Sequence, residues 1–417
     1  MLPNAWPRIS INTFTPLRPQ MAKEVLFVHI AYHFHPEMGY DVNYMARYKP
    51  DHCRMVVVTG DNLSLWKTDA EGIRPLDARF TAETGTEIIR LPSFKTGNKK
   101  AGVMLRGLNK TLNKLNPDIV FYHGLESVSF GPSLFFQTRK RYVSGDTHTL
   151  FSQFRDLSLP GRLYLYGFFR PFIVKRMVRS GRPVFYTALE NKRVLTEMFG
   201  FPEQQVFDNE ICTDTRLFYR EEVDPATLIP GWRPAKTILY TGKSDHFKQP
   251  HLILDALRLV EERIDFDLNV LIVGPENEAY TAQHYSSPFR NPRIRMVVHP
   301  AVPNRELRKY YSLADLAVFP RQNTLSALDA QACGLLVVME DDETNRKRLA
   351  AGGRVYPAGD LAALASEILS LLKDDAARLQ LGAAGQAYVK AHFDYSDRLR
   401  ALQGMLVDDW RKSAKGR

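Results

Sequence analysis

Short apolar runs alternate with helical stretches along this chain, and the alternation stops and restarts once. EVLFVHI (24–30) is a continuous apolar run too short for a typical helix, and RMVVVTG (54–60), DIVFYHG (118–124) and RYVSGD (141–146) repeat its style. Such runs read as parallel strands buried on both faces. VMLRGLNKTLNKLN (103–116), with Val103, Leu105, Leu108, Leu112 and Leu115 at helical spacing, reads as an intervening helix. The connector EEVDPATLIPGWRPAK (221–236) holds three prolines and one glycine, the composition of a linker. Beyond it TILYTG (237–242), LNVLIVGP (268–275), LAVFP (316–320) and LLVVME (335–340) read as strands. PHLILDALRLVEE (250–262), LRKYYSLA (307–314) and LSALDAQACG (325–334) read as helices between them. Strand and helix in alternation specify an α/β fold with doubly wound parallel sheets. The 417 residues exceed the roughly 250–300 that one hydrophobic core supports, so two Rossmann-like domains are expected. Doubly wound sheets bind ligands at the carboxyl ends of their strands, which places the site in a cleft between the domains.

The formal net charge of +10 suits anionic partners such as nucleotides, phospholipid surfaces or acidic glycans. No RNA- or DNA-binding module is visible, so no nucleic-acid partner is expected. Cys53, Cys212 and Cys333 are odd in number and lack zinc-ligand or redox spacing, which reads as free thiols in a reducing compartment. The first twenty residues carry four prolines and no apolar core of a signal peptide. The expectation is a cytoplasmic protein with a loose amino-terminal extension.

Two segments carry chemistry. In ILYTGKSDHFKQ (238–249) a strand ends at Gly242, and Lys243 and Lys248 follow five apart. Cations just past a strand end can neutralise phosphate oxygens, as expulsion of a nucleoside diphosphate requires. In LAVFPRQNTLSALDAQACG (316–334) a polar loop, Arg321 to Thr324, leads into a helix whose first N–H groups can hold a phosphate. Asp329, within that helix, is either a solvated acid or a ligand for two ribose hydroxyls.

Residues 235 to about 395 resemble the nucleotide-sugar domain of retaining GT-B glycosyltransferases, in the large family that includes sucrose synthase and many lipopolysaccharide transferases. Gly242-Lys243…Lys248 stands where that family has Gly-Arg…Lys. Arg321, seven residues, then Asp329-Ala330-Gln331-Ala332-Cys333-Gly334 stands where it has Glu-x7-Glu-Ala-Met-Ala-Cys-Gly. NRELRKYYSLADLAVFP (304–320) and RVYPAGDLAALASEILSLLKDDAARLQLGAAGQAYV (354–389) resemble its flanking segments. The amino-terminal half resembles it through Gly39 of HPEMGY (35–40), His123 of DIVFYHG, and Asn209, Asp214, Thr215 and Phe218.

The resemblance implies a GT-B fold, with residues 1–20 an extension, 21–228 an acceptor domain, 229–395 a nucleotide-sugar domain, and 396–417 a helix crossing back to the first domain. It implies sugar transfer with retention from a UDP- or GDP-linked donor to a glycan or glycolipid acceptor, without an obligatory metal or other cofactor. His123 would contact the donor sugar, and Lys243 and Lys248 would stabilise the diphosphate. Gly39 and Gly242 would let backbone approach it, Asp329 would hold ribose, and Glu343 would contact the donor unless it is only a helix N-terminal acid. Arg321 departs from the family's acid. It signals either a sugar bearing a carboxylate, which Arg pairs in a planar fork, or lost activity. A non-catalytic binding protein of this fold, or a nucleotide-sugar epimerase, is the alternative.

The remaining histidines divide. Asp146 and His148 in GDTHT (145–149) share a strand end where acceptor chemistry fits as well as a structural role. His33 and His35 have no partner acids nearby and read as a polar loop. GRLYLYGFFRPFIVKRMVRSGR (161–182) interleaves aromatic and basic residues. It reads either as a patch docking peripherally on an anionic membrane or as a helix with its aromatics in the core.

Overall fold

A computed structural model describes residues 24–415 apart from 64–68, 96–102, 150, 152–156, 276, 287–288 and 322–323. The extension at 1–20 and part of the loop after Arg321 therefore lie outside the described residues. Seven strands form the first sheet: β1 Val25–Ile30, β2 Cys53–Gly60, β3 Glu87–Leu91, β4 Ile119–His123, β5 Tyr142–Thr147, β6 Val184–Tyr186 and β7 Val206–Asp208. Their order is β3-β2-β1-β4-β5-β6-β7, and every pairing is parallel. Six strands form the second sheet: β8 Lys236–Thr241, β9 Leu268–Val273, β10 Ile294–His299, β11 Leu316–Phe319, β12 Leu336–Glu340 and β13 Gly353–Tyr356. Their order is β10-β9-β8-β11-β12-β13, again all parallel. Both sheets reverse their strand order beside their first strand, the switch point where doubly wound folds open a crevice.

The strands form because their residues are apolar on both faces. Val25, Phe27, Val28 and Ile30 in β1 are fully covered, and so are Ile119, Val120, Phe121 and Tyr122 in β4. One local expectation fails. Val103–Leu105 is not the start of a helix; it pairs antiparallel with Ser93–Lys95, and the helix begins only at Leu108. Gly107, at φ +81°, breaks the helical path between them.

The segment 161–182 buries some of its apolar side chains and exposes others. Leu163–Val174 is helical with π-type hydrogen bonding. Its Leu165, Phe169 and Ile173 are buried, but Leu163 is 63% exposed, Tyr166 50% and Phe172 49%, and Leu159 just before the segment is 70% exposed. Among the described residues no helix is long and apolar enough to cross a membrane.

The carboxyl-terminal helix, Tyr395–Lys415, packs on the first sheet's side. Gln403 Nε2 donates to the carbonyls of Met45 and Tyr48 at 3.2 and 3.1 Å, and the Tyr142 hydroxyl donates to Asp409 at 2.6 Å. Tyr395 stacks on Tyr44 with ring centroids 4.4 Å apart. All three cysteines are buried free thiols.

Candidate active site

The first half of the site stands on the carboxyl ends of β1, β4 and β5. His29 belongs to β1, His123 ends β4, and Asp146 lies near the end of β5. His123 Nε2 lies 3.1 Å from His29 Nδ1, and its Nδ1 lies 3.0 Å from Asp146 Oδ2. His148 Nε2 approaches the other oxygen of Asp146 at 3.2 Å. The Gly124 amide also donates to Asp146, at 2.9 Å. Asp41, opening the helix Asp41–Arg47, places Oδ2 at 3.7 Å from both His123 Nδ1 and His148 Nε2.

The electrostatics follow from this geometry. Burial, reinforced by the charge on His123, holds the His29 imidazole well below its usual range, so this ring is neutral. Burial opposes charging His123 too, but the Asp146 carboxylate outweighs it and raises the ring. His148 is raised in the same way by Asp146, against its burial. Burial disfavours the Asp146 anion, yet the two histidines hold it below the usual carboxylate range. Both His123 nitrogens are thus engaged, by His29 and by Asp146, which fixes the ring's orientation at a strand end and lets it serve a substrate oxygen only through a shift of these partners.

Sequence reasoning found His123, Asp146 and His148 but missed His29 and Asp41. His29 had a signal: a polar residue inside the apolar run of β1, a strand otherwise wholly hydrophobic. Asp41 had none, because an acid in the first turn of a helix is ordinary. His35, by contrast, is a loop residue whose Nδ1 accepts from the Glu37 amide at 3.2 Å.

The second half stands on the turn after β8. Gly242 has φ +143°, and a Cβ there would lie 3.0 Å from the Tyr240 hydroxyl. The carbonyl of Gly242 sits where a Cβ on Gly274 would fall, at 1.8 Å, so two strand ends meet backbone to backbone. Asp245 Oδ1 then accepts from the amides of Phe247 and Lys248 at 3.0 and 2.9 Å, which fixes the turn carrying Lys248. The Lys248 ammonium is pushed down by burial and by the nearby cations Lys243 and Arg348, with Asp245 opposing. Arg348 itself is buried on the helix Glu343–Leu349, beside Glu210. Lys243 of the same turn and Arg348 of the helix Glu343–Leu349 thus put their positive charges within electrostatic reach of Lys248. Arg348 was not among the residues picked from the sequence, where it is one basic residue in the run Arg346-Lys347-Arg348.

The other residues fall elsewhere. Gly39 packs across the cleft on Asn304: a Cβ would come within 2.7 Å of Asn304 Nδ2. Glu343 is an exposed first-turn acid of its helix. Asp329 is not a solvated acid. It is 2% exposed and accepts from the Thr213 hydroxyl of the first unit at 2.5 Å. Burial raises its carboxyl to about 8, with the Thr213 bond opposing. Arg321 does not present an unmatched cation. Its Nη1 pairs with Glu340 at 3.0 Å and its Nε donates to Gln249 at 3.2 Å. The electrostatic motive for a carboxylate-bearing sugar is thereby removed, because Glu340 already supplies the counter-charge.

Residues 235–374 match the family described as Glycosyl transferases group 1. Phosphatidyl-myo-inositol mannosyltransferase of Mycobacterium leprae is 33% identical over 184 residues, 42% of this chain and 48% of that protein, so the match spans about half the relative's length. Among solved structures, sucrose-phosphate synthase from Thermosynechococcus elongatus superposes with a TM-score of 0.69 at 16% identity, covering 93% of this chain and all of that one. Anabaena HepE in complex with UDP and glucose superposes with a TM-score of 0.67 at 13% identity, covering 92% and 99%.

Proposed function

We propose that this chain, a GT-B-fold protein whose residues 235–374 match the group 1 glycosyl transferases, transfers a sugar from a nucleotide-diphosphate donor to a glycan or lipid-linked acceptor with retention of configuration. The observation that carries this is the β8 turn, where Gly242 and Gly274 meet backbone to backbone and Asp245 fixes the segment carrying Lys243 and Lys248, with Arg348 adding positive charge felt at Lys248. Crowding like charges costs free energy unless an anion joins them, and the leaving nucleoside diphosphate is such an anion. His123, held by Asp146 at a strand end of the first sheet, supplies a donor for the sugar's hydroxyls once its Nε2 leaves His29. The lysines neutralise the leaving group, so no metal is needed for that step. Asp329 reaches ribose only after its bond to Thr213 yields.

The purified protein should release UDP or GDP from one nucleotide-sugar of a panel that includes UDP-glucose, UDP-N-acetylglucosamine and GDP-mannose. Failure to bind any of them by calorimetry would favour the non-catalytic alternative. An epimerised donor in place of transfer would favour the epimerase.

A lipid-linked acceptor is supported by the face around Leu159, Leu163, Tyr166 and Phe172. These apolar side chains point to solvent, with exposed Arg162, Lys175 and Arg179 along the same segment. Apolar side chains flanked by cations suit an anionic bilayer interface. The protein is expected to co-sediment with vesicles containing phosphatidylglycerol and not with pure phosphatidylcholine. Replacing Leu163 and Phe172 together with Ser should release it about tenfold or more, given roughly 1.5–3 kcal/mol for each fully buried side chain. Equal sedimentation of wild type and variant would remove the membrane from the proposal.

A further inference from the structure

The four groups Asp41, His123, Asp146 and His148 each turn one ligand-type atom towards a common point, all within 4.8 Å of one another. We propose that they form a binding site for one divalent transition-metal ion of the zinc class.

The four residues stand close enough to share one ion. His123 Nδ1 lies 3.0 Å from Asp146 Oδ2, His148 Nε2 lies 3.2 Å from Asp146 Oδ1, and Asp41 Oδ2 lies 3.7 Å from each of these histidine nitrogens, so Asp146 faces the ion with one oxygen towards each ring. Ligands at about 2.0–2.2 Å from a tetrahedral ion stand at comparable separations. The donors are two imidazole nitrogens and two carboxylates, a set that suits zinc and its neighbours. Binding releases any proton from the ligating nitrogens, and two carboxylates with two neutral imidazoles then match the double charge of the ion.

A second, independent observation concerns Asp41. Its Oδ1 accepts from the Val42 amide at 3.0 Å, but Oδ2 is covered from solvent and has no hydrogen-bond partner among the described residues. A buried acceptor left unpaired costs free energy, and an ion at the centre of the cluster would satisfy it. The outer contacts are those of metal-binding histidines. His123 turns its remaining nitrogen to His29 at 3.1 Å, and His148 turns its remaining nitrogen to Thr187 Oγ1 at 3.4 Å. The Thr187 hydroxyl in turn donates to Asn191 at 3.1 Å, which leaves its oxygen free to accept from His148. Such partners fix the tautomer and aim the ring.

The site lies on the first sheet's strand ends, whereas Lys243 and Lys248 belong to the second unit. The ion is therefore not the diphosphate's counter-charge. By engaging His123 it is expected to slow transfer.

The test does not depend on the transferase reading. The full chain, treated with a chelator and dialysed, is titrated with Zn2+ by calorimetry and with Co2+ by visible absorption. One ion per chain is expected, with the strong visible bands of four-coordinate Co2+. His148→Ala removes a ring that is 41% exposed, and Asp41→Asn keeps the shape of its side chain. Both should weaken Zn2+ by more than the roughly 10–100-fold typical of losing an outer partner, and Thr187→Val should fall within that range. Circular dichroism of each variant confirms that it is folded. The proposal is overturned if the wild type binds no stoichiometric ion, or if His148→Ala and Asp41→Asn bind Zn2+ as the wild type does.

Discussion

Asp329→Asn is expected to make the protein more stable, by a margin that grows with pH. The Asp329 carboxyl is raised by burial to about 8 in the folded chain, while in the unfolded chain it ionises near its ordinary value, about 3.8. Between those values the folded state binds more protons than the unfolded state, so stability falls as pH rises from about 4 to about 8. Each unit of difference corresponds to about 1.4 kcal/mol, which places the cost of the acid at neutral pH on the order of 2–4 kcal/mol once some relaxation of the site is allowed. Asparagine carries no proton to lose and can still accept from Thr213. Melting curves of wild type and variant should coincide near pH 4 and separate progressively to pH 8, with the variant the more stable. A gap that does not change with pH, or a less stable variant at pH 8, would show that the acid is ionised in the fold. Proteins keep such costly groups where function uses them. If Asp329 serves the donor's ribose, the stabilised variant should bind nucleotide-sugar more weakly.

Lys248→Ala should reduce turnover by about a hundredfold or more, the scale of losing one stabiliser of developing charge. Lys243 and Arg348 remain, so donor binding should weaken less than turnover falls. Because burial and neighbouring cations push the Lys248 ammonium below the ordinary lysine range, it loses its charge at a lower pH than a free lysine. Activity that depends on this charge is complete on the acid side and declines as pH rises through the lowered value. Arginine stays charged throughout, so Lys248→Arg should carry the alkaline limit to higher pH. A folded Lys248→Ala enzyme with unchanged turnover would remove the lysines from the mechanism. An alkaline limit unmoved by arginine would assign that limit to another group.

Much of this molecule was legible along the chain. Continuous apolar runs such as those of β1, β4 and β9 can only be strands covered on both faces, and their alternation with amphipathic helices leaves a doubly wound sheet as the way to cover them. The restart near residue 235 required a second sheet. Gly242 with Lys243 and Lys248 was visible because turn chemistry and nearby cations are local in sequence. The hairpin strand Val103–Leu105 was not legible, since a three-residue strand carries too few residues to show its period.

Only tertiary structure decided the charges. Asp41, His123, Asp146 and His148 lie on three different segments, and nothing in their spacing says that they share one point. Arg321 reads as a donor ligand until Glu340, nineteen residues later on β12, is seen to pair with it. Asp329 reads as a solvated helix acid until Thr213, from the other unit, covers it. Burial patterns follow from hydrophobicity, which a sequence displays residue by residue. The partner of a charge follows from distances through space, and those exist only once the chain has closed on itself.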